Sequence, residues 1–145
     1  MRLLATSLLV FLCAAPAHAV TVECEIVQSV SAWGWFAPNL KFKVDVEASQ
    51  AIVIDAVSKD KQGNAPVAEI ESNSDAKTVF KWTVTANGRE KQFKAEGDSA
   101  GNTTFGKVKF RLAYFKKTGD AAISAISGLQ YLPEPSSTGE CRTYD

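Results

Sequence analysis

The chain has 145 residues, with 16 basic and 16 acidic side chains and a single histidine. That length makes one domain, and it can bury a real core without a dense disulfide framework. The balanced charge speaks against nucleic acid as a partner, because neutralising phosphates needs clustered Lys and Arg.

The first segment reads as a cleaved export signal. Arg2 gives a positive start, LLATSLLVFLCAA an apolar run, and Ala17-His18-Ala19 a small-x-small cleavage site. The run is too short, and too broken by Pro16, for a membrane span. The first mature position is Val20 rather than cysteine, so no lipid anchor is expected. The expected organisation is a signal over 1–19 and a single β domain over 20–145, periplasmic or secreted. Cleavage removes Arg2, Cys13 and His18. The mature chain then has 15 basic and 16 acidic residues, a net charge of 15 − 16 = −1, two cysteines and no histidine.

From residue 20 onward the recurring pattern is period-two alternation, the mark of half-buried strands. In VTVECEIVQSV (20–30), Val20, Val22, Cys24 and Ile26 share a face, which turns the cysteine inward. SAWGWFAPNL (31–40) brings Trp33, Trp35 and Phe36 together around Gly34, ahead of a break at Pro38-Asn39. LKFKVDVEA (40–48) alternates most strictly: Leu40, Phe42, Val44 and Val46 against Lys41, Lys43, Asp45 and Glu47. AIVIDAV (51–57) is an apolar run of strand length that contains Asp55. In TVFKWTVT (78–85), Phe80, Trp82 and Val84 share a face. Asn87-Gly88 is a hairpin signal, because a type I′ turn needs positive φ at both central positions. Residues 90–96 alternate weakly. KVKFRLAYF (107–115) sets Val108, Phe110, Leu112 and Tyr114 against Lys107, Lys109, Arg111 and Ala113. Phe105 lies off that phase, and Gly106 between them suggests a bulge. AAISAISG (121–128) suits a strand or a short helix. Turn residues separate the segments at 48–50, 61–64, 98–102 and 118–120.

About eight or nine strands with short connections imply an all-β antiparallel meander. Eight is the number at which a sheet can close and be filled by side chains or hold one small ligand. A closed or nearly closed barrel is therefore expected, with a β-sandwich as the alternative. Cys24 and Cys141 are expected to form one structural disulfide. It would join the first and last strands, which fits closure.

No enzyme is expected. Without histidine there is no Ser-His-Asp or Cys-His arrangement, and bridged cysteines leave no thiolate. Histidine–cysteine zinc sites are absent, and the loops at Asp98, Asn102 and Asp120 lack the ligand spacing of a calcium loop. No metal and no cofactor are expected. Asp55 is the one acid set in an apolar run, where it is either buried, paired with a neighbour or turned to solvent.

Binding remains. Trp33, Trp35, Phe42, Trp82, Phe110 and Tyr114 converge if the sheet closes. They either pack solidly or line a cavity for a small apolar or aromatic ligand. An exported chain of this length, with meandering strands and an early tryptophan, resembles the lipocalin or calycin barrels. That family carries a G-x-W motif under a late-strand Arg. Here the order is Trp33-Gly34-Trp35, one position from the family's spacing, and Arg142 is the counterpart Arg. The resemblance implies a ligand-holding barrel. FKKTGDAAI (115–123) is similar to the lysine-glycine strand turn of periplasmic inhibitors of C-type lysozymes, with DSAGNTT (98–104) in place of their inhibitory loop. That likeness implies an envelope protein partner instead.

Overall fold

The computed structural model describes residues 20–28, 35–55, 64–85, 107–127 and 134–144. They form eight strands: β1 (Val20–Ile26), β2 (Asn39–Asp45), β3 (Gln50–Ile54), β4 (Val67–Asn73), β5 (Lys77–Thr85), β6 (Lys107–Phe115), β7 (Asp120–Ser127) and β8 (Ser136–Tyr144). Each pairs antiparallel with the next, and β8 pairs with β1, so the meander closes into a barrel. Closure rules out the sandwich. It also gives every strand two partners, so no edge is left open. The segment 121–128 is strand rather than helix. The signal segment, Trp33, Asn87-Gly88, 90–96, 98–102 and Gly106 lie outside the described residues.

The alternation in the sequence becomes the inside and outside of the barrel. Paired residues face the same way: Val22 with Phe42, Phe42 with Val53, Ile70 with Phe80, and Trp82 with Phe110 are all inward. The inward side chains form one continuous apolar core. Outward positions carry charge, as at Lys41, Lys43, Lys81 and Arg111, all of them solvent-reached. Ile52, Ile54, Val67 and Ile126 are exposed on the same outer surface. Among the described residues no helix is long and apolar enough to cross a membrane.

The seam between β1 and β8 is drawn tight. Cys24 and Cys141 are directly opposed, with Cα atoms 4.0 Å apart, and are joined by a disulfide buried inside the barrel. Two residues before Cys141, a Cβ at Gly139 would collide with the carbonyl oxygen of Glu25. Only glycine lets the β8 backbone come this close to β1.

The β4 strand contains a bulge. Ile70 opposes Phe80, but the next pair is Ser72 with Val79, so Glu71 is the extra residue. The insertion inverts the phase of the strand end. Ser72 now faces outward, and Asn73, opposite Thr78, faces inward. On the outside Glu71 makes ion pairs with both Lys81 and Arg111. The Lys81 ammonium, hydrogen-bonded to Glu71, is the main reason its carboxyl is held below the ordinary value. Desolvation opposes the shift and Arg111 adds to it. A lowered folded-state pKa means stabilisation above the unfolded pKa, lost as pH falls through the folded one. Acid unfolding curves of the wild type and Glu71→Gln should therefore differ near neutrality and converge below the usual glutamate range. Curves separated by the same amount at every pH would contradict this. The exposure of the site keeps the effect small.

The two ends of the barrel differ. One end carries three tight turns, at 46–49, 74–76 and 116–119, together with the start of β1 and the end of β8. Asp45 Oδ1 accepts the Ala48 N–H at 2.9 Å, and Ser74 Oγ accepts the Lys77 N–H at 3.1 Å. Gly119 takes φ 82° and closes the third turn by donating to the Phe115 carbonyl at 2.9 Å. Val46 belongs to the first of these turns and is exposed, so the second strand stops short of 48. The other end carries the longer connections, 27–38, 55–66, 86–106 and 128–135.

Candidate functional site

A column of rings fills the barrel from the long-connection end. Phe36 meets Phe110 edge-on at 6.2 Å, and Phe110 stacks on Trp82 at 5.3 Å. Trp82 meets Phe42 edge-on at 5.5 Å, and Phe42 stacks on Phe80 at 4.3 Å. All five are buried. Such offset and edge-on contacts add about 0.5–1.5 kcal/mol each beyond the area they bury. Phe42, Trp82 and Phe110 are thus brought together as expected, but as packing. Trp35 is half-buried and packs against the same core. Within the column the indole Nε1 of Trp82 is buried and has no hydrogen-bond partner among the described residues.

Arg142 stands on β8 opposite Glu23 and is exposed, whereas Trp35 packs against the interior. Asp55 follows β3 directly and is half-buried.

The concave space lies at the opposite, tight-turn end, above Phe80. A bowl of about 450 Å³ is lined by Val20, Val22, Val44 and Val46, by Phe80 and Tyr114, and by Asn73, Thr78, Lys116 and Thr143. Its volume is within the range of small-molecule sites, roughly 300–1,000 Å³. Phe80 and Tyr114 make the floor and are 0% and 6% exposed, whereas Val46, Asn73, Lys116 and Thr143 are exposed at the rim. The bowl is therefore shallow, and the rings below it close the interior.

The rim is hydrogen-bonded to itself. Asn73 Oδ1 accepts from the Thr78 hydroxyl at 2.9 Å and from the Lys116 ammonium at 2.8 Å. The hydroxyls of Tyr114 and Thr143 share a bond of 3.1 Å. Of the expected ligand-binding residues that are described, only Tyr114 lines this bowl. Its new members are Phe80, read in the sequence as core, and Lys116 and Asn73. The bulge at Glu71 is what turns Asn73 inward, and no period-two pattern announces it.

A second concavity lies on the outside, over β1, β7 and β8. It is a groove of about 1,010 Å³. Asp120 opposes Glu140, and Glu140 opposes Glu25, so three carboxylates stand in one row across it. Val27 and Phe115, 58% and 41% exposed, flank the row. Like charges directly opposite one another are unfavourable in a sheet. No protein-family model, curated protein or solved structure matches this chain. The site is therefore argued from its own chemistry. Among the described residues no cluster of three His, Cys, Asp or Glu could hold a metal ion.

Proposed function

We propose that this is an exported, non-catalytic β-barrel protein that binds a small apolar ligand at its tight-turn end. The observation that carries the reading is the bowl above Phe80 and Tyr114, apolar in its walls and polar only at its rim. Apolar concavities with a few placed polar groups are the usual form of small-molecule sites. The buried disulfide suits an oxidising, exported compartment. Titrating ¹⁵N-labelled mature protein with 1-octanol should shift the amide resonances of Val22, Val46 and Thr143 and leave those of Val27 and Phe115 in place. An unchanged mouth would overturn the reading.

A second reading, an envelope protein-interaction module, is favoured by the outer groove. Its carboxylate row and exposed Phe115 suit a basic partner with an apolar contact. The adjoining turn at 116–119 belongs to the segment similar to the lysozyme inhibitors. Inhibition of a C-type lysozyme by the added protein, lost in Phe115→Ala, would support this reading. Full lysozyme activity at excess protein would remove that partner.

A further inference from the structure

We infer that the ligand of the bowl is a monoanionic amphiphile, a free single-chain molecule whose apolar body covers Phe80 and whose negative head meets Lys116. This rests on the ligand-binding reading above and adds the ligand's charge to it. The polar rim is made of donors. Lys116 uses one of its N–H groups on Asn73, which leaves two. Asn73 receives both Thr78 and Lys116 on its oxygen, so its amide N–H groups stay available. Tyr114 and Thr143 spend one hydroxyl proton on each other and keep a second. No acidic side chain among the described residues lines the bowl. Among the described residues, no carboxylate lies within ion-pair distance of Lys116.

The mouth thus has a net positive charge held by a neutral amide. Beside apolar walls a charge acts through a lower effective dielectric, so it attracts an anion more strongly than a lysine in open water does. A neutral ligand would leave the ammonium without a counter-charge, and a cationic one would be repelled. The bulge in β4 belongs to the same device. Were Glu71 paired in regular register opposite Val79 instead of bulged, Asn73 would face outward and Lys116 would lose its anchor at the mouth.

Three probes with one chain and different heads test this: octanoate, 1-octanol and octylammonium, titrated by amide shifts at Val22, Val46 and Thr143. Octanoate should bind at least about tenfold tighter than octanol, the ratio expected for a hydrogen bond to a charged group. Octylammonium should bind weakest. Lys116→Gln should remove the advantage of octanoate and leave octanol unchanged. In the wild type, rising salt should weaken octanoate alone. Equal affinity for octanoate and octanol would overturn the anionic head and keep the apolar site. No shift at the mouth with any probe would overturn both readings. Co-sedimentation with phosphatidylglycerol vesicles, without octanoate binding, would assign the mouth to a membrane headgroup and overturn the free ligand.

Discussion

Replacing Cys24 and Cys141 together by alanine is expected to destabilise the barrel by about 4–5 kcal/mol, the loop-closure value for a cross-link spanning more than a hundred residues. The two cysteines are 117 positions apart, so reduction frees nearly the whole mature chain in the unfolded state. For a domain of this size that corresponds to a loss of roughly 10–20 °C in Tm. Urea denaturation of the oxidised, reduced and double-alanine proteins checks it. The reduced and double-alanine forms should share one lowered midpoint. The fold should survive, because five further register pairs between β1 and β8 hold the seam on either side of the bridge. A midpoint that does not move on reduction would show that the seam's ladder alone carries closure. The prediction also bears on location. A protein that draws this much stability from a disulfide suits a compartment where thiols stay oxidised.

What could be read from the residues alone follows from how each strand is buried. The β2 and β6 strands alternate strictly, because large apolar residues face in and lysines face out. Their side chains state the barrel phase directly. The β8 strand, SSTGECRTY, turns inward only Ser137, Gly139, Cys141 and Thr143, and at Gly139 the close approach of β1 leaves no room for a side chain. Without large apolar residues it has no hydrophobic period, and only its cysteine marked it. The β4 strand breaks phase at Glu71, so a period-two scan loses it midway. The expected ligand-binding set was chosen for ring size. That choice found the packed column, because large rings fill an eight-stranded barrel. The bowl depends instead on where the rings stop and on a polar rim set by a bulge and a turn.

Phe80→Ala is expected to cost about 3–5 kcal/mol, the range for removing a large buried ring from a core that relaxes only in part. Phe80 is fully buried, stacks on Phe42 at 4.3 Å, and has no polar atom whose loss could offset the change. Trp82→Phe offers the contrast. It removes an indole N–H that is buried without a partner among the described residues, so relief of that group offsets part of the lost volume. Urea unfolding should thus place Phe80→Ala well below Trp82→Phe, and the reverse order would refute the packing argument. Phe80→Ala also has a second readout. Phe80 divides the bowl from the ring column, so its removal deepens the bowl towards Phe42. If apolar ligands enter there, the variant should bind octanol more tightly than the wild type although it is less stable. Weaker octanol binding by a folded Phe80→Ala would mean that the ring is itself the contact surface, with the ligand lying across it rather than reaching past it.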